Sequence, residues 1–116
     1  MAQRLKSLFV VRTHADTTVV RFLAEDLMNC QEVEKLNGEL QPHLGEKTRK
    51  VVLDLQNVKY AGSSLLGMML VLRKKLKDVG GRVTLLHTGC MEEILKVTHT
   101  SSLFEMEPAS PLQRVA

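Results

Sequence analysis

Between Val51 and Leu72 the sequence VVLDLQNVKYAGSSLLGMMLVL switches from the period of a strand to the period of a helix, and the rest of the chain must be arranged around that switch. Val51-Val52-Leu53-Asp54-Leu55 is an apolar, β-branched run of strand length, ended by Gln56-Asn57. From Leu65 onward, Leu65, Met69, Leu72, Leu76 and Val79 recur at spacings of four and three, and Leu66 and Leu70 widen the stripe. That spacing predicts an amphipathic helix. Gly62, Ser63 and Ser64 lie between strand and helix.

The first turn of a helix carries backbone N–H groups with no intrahelical partner, and the helix dipole adds partial positive charge there. A serine at the N-cap accepts one of these N–H groups and stabilises the helix by about 1 kcal/mol. Ser63 is read structurally as such a cap. A phosphate on the same serine also sits favourably at the positive helix end, and it adds about −1.5 to −2 charges to the surrounding surface. A partner docked around Tyr60, Ala61, Gly62, Ser63, Ser64, Leu65 and Met68 would then be expelled while the domain stays folded. Most of the apolar first turns, Leu65, Leu66, Met68 and Met69, are assigned to the core, with one or two exposed as a docking patch.

The chain's 116 residues suffice for one domain with its own core, and not for two ordinary ones. With 44% hydrophobic and 25% charged residues, the composition is that of a globular protein. The longest mainly apolar run, Leu65 to Leu72, falls far short of the roughly 20 residues that span a bilayer. The segment MAQRLKSLFVVRTH has neither the apolar block of about 7–15 residues nor the cleavage site of a signal peptide. A cytoplasmic protein is therefore expected.

In chain order, Leu8 to Val11 and Thr18 to Leu23 are expected to pair as an antiparallel hairpin across a turn at His14 to Thr17. Asn29, with Glu32 three residues on, is placed to cap a helix whose inner face is Val33, Leu36 and Leu40, closed by Pro42 and Gly45. Gly80-Gly81 stops the long helix, and Arg82 to His87 forms another strand. Alternation of strands and helices in this half implies parallel pairing. Gly89 to Val97 reads as a short helix, Leu103 to Met106 as a last short strand, residues 1–106 as one domain and residues 107–116 as a disordered tail.

Several chemistries find no support in the residues. Cys30 and Cys90 are far apart with no metal-ligand spacing, and are read as buried, reduced thiols. His14, His43, His87 and His99 are scattered, and Ser63 and Ser64 lie in no GxSxG elbow. Gly62 and Gly67 match the two glycines of a GxxxxGK[ST] loop, but Met68-Met69 stand where Lys and Ser/Thr are required. Gly67 is instead expected to let the helix approach the sheet closely. Asp54 is read either as a polar group near the functional turn or as a satisfied structural carboxylate. Net charge is +3, and Arg73, Lys74, Lys75 and Lys77 read as a solvated helix face rather than a nucleic-acid surface, with three Phe, one Tyr and no Trp in the chain. No cofactor, metal, catalytic group, nucleic acid or membrane span is expected; oligomeric state is left open.

Taken together, the opening hairpin, VVLDLQNVKYAGSSLLGMML, KDVGGRVTLL and KVTHTSSLFEM resemble the STAS domain, in particular the single-domain anti-sigma-factor antagonists of bacteria, over about Ser7 to Met106. The resemblance implies an α/β fold with a mixed four- to five-stranded sheet and about four helices packed mainly on one face. It also implies a phosphoacceptor serine at the start of the helix after the central strand. In that family the kinase is an anti-sigma factor of the histidine-kinase-type ATPase class, the unphosphorylated antagonist sequesters it, and a PP2C-type phosphatase reverses the modification. The family motif Asp-Ser-Ser/Thr-Gly-Leu-Gly aligns with Gly62-Ser63-Ser64-Leu65-Leu66-Gly67, placing Ser63 on the phosphoacceptor with Ser64 as the alternative. Gly62 replaces the acidic residue and Leu65 the first glycine. Two other readings stand beside the antagonist: a phosphorylation-independent STAS scaffold or lipid-transport accessory subunit, which Gly62 suits, and a small-ligand sensor.

Overall fold

The computed structural model describes residues 8–107. Phe9–His14 (β1) and Thr17–Phe22 (β2) form the antiparallel hairpin, longer than expected because Thr13 and His14 still pair with Thr18 and Thr17. Only Ala15 and Asp16 remain in the turn, Ala15 at φ 56°. Lys50–Asp54 (β4) lies parallel to β2, Arg82–Leu86 (β6) parallel to β4, and Glu105–Glu107 (β7) parallel to β6. The mixed five-stranded sheet therefore runs β1-β2-β4-β6-β7. A separate two-stranded parallel ribbon joins Asp26–Leu27 (β3) to Tyr60–Ala61 (β5).

Among the described residues, three α-helices complete the fold: Cys30–Leu40 (α1), Ser63–Lys77 (α2) and Glu92–Val97 (α3), with short 3-10 turns at Gln41–His43, Gly89–Met91 and Ser101–Leu103. Asn29 caps α1 as its sequence foretold, its side-chain oxygen accepting the N–H groups of Gln31 and Glu32 at 2.8 and 3.1 Å. After Lys77 the chain turns out of α2 through Gly80 at φ 79°, and the Gly81 N–H returns to the Leu76 carbonyl at 2.6 Å. Gly81 also lies against the Arg49 carbonyl, where a Cβ would clash.

The register puts Val20, Leu53 and Leu85 side by side across three strands, all fully buried, with Phe22, Val51 and Val83 on the same face. Against that face pack Val33, Leu36 and Leu40 of α1, Leu65, Met69, Leu72 and Leu76 of α2, and Leu95 of α3. The helix residues expected to face the core do so, except Val79, which lies beyond the helix and is 49% exposed. The opposite sheet face carries Val10, Arg12, Val19, Arg21, Val52, Asp54, Thr84 and Leu86, and none of these joins the helix-packed core. Helices on one face and a mixed sheet match the expected class, with three α-helices among the described residues against about four expected. The last strand is Glu105–Glu107 rather than Leu103 to Met106, so Glu107, expected to open the tail of residues 107–116, pairs with Leu86 instead, and residues 108–116 lie outside the described residues.

Candidate functional site

The loop after β4 is held from both sides. Asp54 accepts the Gln56 N–H at 3.0 Å and the Arg21 Nε–H at 3.3 Å, so this buried carboxylate is satisfied structurally. The Val58 N–H returns to the Leu55 carbonyl at 3.0 Å, and the Asn57 side chain donates to the Phe22 carbonyl at 3.2 Å. The Lys59 and Tyr60 N–H groups share the Glu25 carbonyl at 2.7 and 3.0 Å, leading into the β3–β5 ribbon. Backbone and side-chain hydrogen bonds, with Leu55 and Val58 buried in the core, therefore fix the approach to the helix.

Helix α2 starts one residue earlier than its sequence suggests. Gly62, in an extended conformation at φ −135° and ψ −161°, is the N-cap, and its carbonyl accepts the Leu66 N–H at 3.3 Å. Ser63 is the first helical residue and does not cap; no side chain caps this helix. The capping role expected of Ser63 is thus absent, because the pairing of Ala61 with Leu27 and the burial of Leu65, Leu66 and Met69 together set where the helix begins. The Ser63 side chain is exposed, and Ser64 is half-buried. Near the dipole's positive end, an exposed hydroxyl is open to an approaching enzyme and well placed to carry an anion.

Of the residues expected to form the docking surface, Tyr60 is 60% exposed, and Ala61 and Gly62 are half-buried. Leu65 and Met68 are buried, at 0% and 7% exposure, and serve the core, so neither contributes an accessible side chain here. Gly67 corrects another expectation: nothing lies within 4 Å of where its Cβ would be, so it faces away from the sheet. It continues an exposed stripe, Ser63, Gly67, Val71 and Lys74, along the outer side of α2.

Met28 was not legible as a site residue. It is 55% exposed, and its sulfur would lie 3.4 Å from a Cβ at Gly62, so its side chain lies beside the helix start. Tyr60 and Ser63 are close in sequence, but a two-residue strand such as β3 leaves no periodic signal, and Met28 joins them only in three dimensions. Glu25, Asp26 and Glu32 border the same region, along an open groove they share with Leu8, Ala24, Met28 and Asn29. The cysteines also differ from expectation: Cys30 is exposed, Cys90 is half-buried, and both are free. Burial pushes the Cys90 thiol pKa up, opposed by a backbone hydrogen bond. Among the described residues, no helix is long and apolar enough to cross a membrane.

Fold and site together define a small mixed α/β domain that presents a solvent-facing serine at the start of its second helix, beside the exposed Met28 and Tyr60. The STAS domain family model matches residues 9–111, and the chain belongs to that family. A STAS-domain anti-sigma-factor antagonist protein from Planctomyces limnophilus is 26% identical and has a TM-score of 0.75, the match covering 92% of this chain and 94% of that one. The Bacillus cell fate determinant SpoIIAA in its phosphorylated form is 17% identical with a TM-score of 0.70, covering 92% and 96% respectively. The anti-sigma factor antagonist SpoIIAA in its unphosphorylated form is 18% identical with a TM-score of 0.65, covering 92% and 94%. No curated protein matches the chain in sequence.

Proposed function

We propose that this protein is an anti-sigma-factor antagonist, a non-enzymatic cytoplasmic module of bacterial transcription control. Its unmodified surface around Tyr60, Ala61, Gly62, Ser63 and Ser64, extended by Met28, binds an anti-sigma factor that is a serine kinase of the histidine-kinase-type ATPase class. The kinase moves the terminal phosphoryl group of ATP onto the Ser63 oxygen, the hydroxyl proton leaves, and a PP2C-type phosphatase removes the phosphate by hydrolysis. The observation that carries this reading is Ser63 itself, an exposed first-turn serine with no capping duty to explain its presence. A phosphate there adds about −1.5 to −2 charges beside the helix start. A partner matched to the unmodified surface then loses affinity through like-charge repulsion and through the desolvation of an unpaired charge.

The test is binding of purified kinase-type anti-sigma factor to wild type, Ser63→Ala and Ser63→Asp. Ser63→Asp is expected to lose affinity by about tenfold or more while Ser63→Ala binds normally and takes up no phosphate. A second reading, a STAS scaffold whose binding never depends on phosphorylation, draws on Gly62, which puts no carboxylate beside Ser63. Equal partner retention by wild type and Ser63→Asp would favour the scaffold.

A further inference from the structure

The helix-free face of the sheet carries a concave site that the docking surface does not use. Val10 faces Arg21 and then Asp54 across β1, β2 and β4, and Arg12 faces Val19 one row away. These five residues and Leu23 line a cavity of about 420 Å³. That volume lies within the range of small-ligand sites, about 300–1,000 Å³.

The lining is specific in its chemistry. Val10 is 44% and Leu23 42% exposed, so aliphatic surface is left open to solvent. Arg21 uses one edge, its Nε, on Asp54, and its side chain stays 52% exposed. A guanidinium has five N–H donors in a planar fork, so Arg21 retains donors for a second acceptor. Arg12 has no carboxylate within ion-pair distance among the described residues. Two guanidiniums against one carboxylate leave the site a single positive charge, which a monoanion neutralises. No aromatic ring lines the cavity, so the apolar part of a ligand would be held by aliphatic burial rather than stacking.

We infer that this cavity binds a single-chain alkyl carboxylate, its head group held by Arg12 and Arg21 and its chain laid over Val10, Val19 and Leu23. The inference is independent of the Ser63 switch. Its occupation would nonetheless reach the adjoining loop, because the Gln56 N–H is bonded to the carboxylate that pairs with Arg21.

The experiment is a ¹⁵N NMR titration of the full chain with decanoate below its micelle concentration, with decanol as the uncharged control. Shifts are expected at the amides of Val10, Arg12, Val19, Arg21 and Leu23, and at Gln56. Arg12→Gln should weaken binding at least tenfold at unchanged melting temperature, Arg12→Lys should retain most of it, and decanol should bind at least tenfold more weakly than decanoate. Shifts clustered elsewhere, equal binding of decanol, undiminished binding by Arg12→Gln, or no saturable shift would each overturn the assignment.

Discussion

Replacing Gly62 by Asp is the sharpest probe of the helix start. The residue is extended rather than left-handed, so its backbone places no demand on glycine. A Cβ there would lie 3.4 Å from the Met28 sulfur and 3.5 Å from its terminal methyl, ordinary contact with an exposed, flexible side chain. An aspartate at the N-cap can accept an N–H from Ser64 or Leu65, groups that no side chain now caps. Changing Gly to Asp at an N-cap contributes a few tenths of a kcal/mol, and a negative charge at the positive helix end about 0.3–1 kcal/mol. Loss of glycine's freedom in the unfolded chain adds a comparable amount. A net gain of about 1 kcal/mol follows, which corresponds to roughly 4 °C in melting temperature for a domain of this size. Urea and thermal denaturation of wild type and Gly62→Asp measure it directly. The same substitution combined with Ser63→Glu should gain less than the sum of the two, because the carboxylates would crowd one helix end. A loss of more than about 0.5 kcal/mol in Gly62→Asp would refute the reasoning, since it would mean that residue 62 has no room or cannot cap.

Gly67→Ala should stabilise the domain by about 1 kcal/mol in urea denaturation, because Gly67 is helical, exposed and free of neighbours; destabilisation would restore the idea that it permits close packing on the sheet. Thr18 is fully buried with a hydroxyl that has no hydrogen-bond partner, so Thr18→Val should gain about 1 kcal/mol, and a comparable loss would imply an unseen partner such as an ordered water. At Cys90 burial favours the neutral thiol, so the folded-state pKa lies above that of the unfolded chain. Below the ordinary thiol pKa of about 8.5 both states keep the proton; above it the unfolded chain releases its proton first, and stability falls until the pH passes the raised folded value. Cys90→Ala should flatten that alkaline decline in stability measured against pH, and an unchanged profile would remove Cys90 as its source.

Strand β4 was legible as a short apolar, β-branched run that is buried on both faces, and helix α2 from the helical period written in Leu65 to Leu76. The α1 cap was legible because Asn29 precedes an apolar stripe and caps through its own side chain. At α2 the same logic missed by one residue. Gly62 and Ser63 are both acceptable caps locally, and the choice is made by tertiary structure, through the pairing of Ala61 with Leu27 and the depth to which Leu65 and Leu66 are buried. Ribbon β3–β5 escaped notice because two residues carry no period, and Met28 with it. The exposure of Cys30 was hidden for a related reason: composition says that free cysteines are usually interior, and only the phase of α1 turns this one outward.

Helix α2 separates what holds the domain together from what it can show to a partner. Leu65, Met69, Leu72 and Leu76 bind one side of the helix to the sheet, while Ser63, Gly67 and Val71 run along the other in open solvent. Residues three and four apart are neighbours on a helix surface, so charge placed at Ser63 is felt first by that outer stripe and by Tyr60 and Met28 beside it. On the inner side the same charge meets the positive end of the helix and is worth at most about 1 kcal/mol of stabilisation. A group that slightly favours the fold while disfavouring a docked surface is what a binding switch needs, and the proposed switch at Ser63 would have both effects from an exposed position at the positive helix end, outside the core.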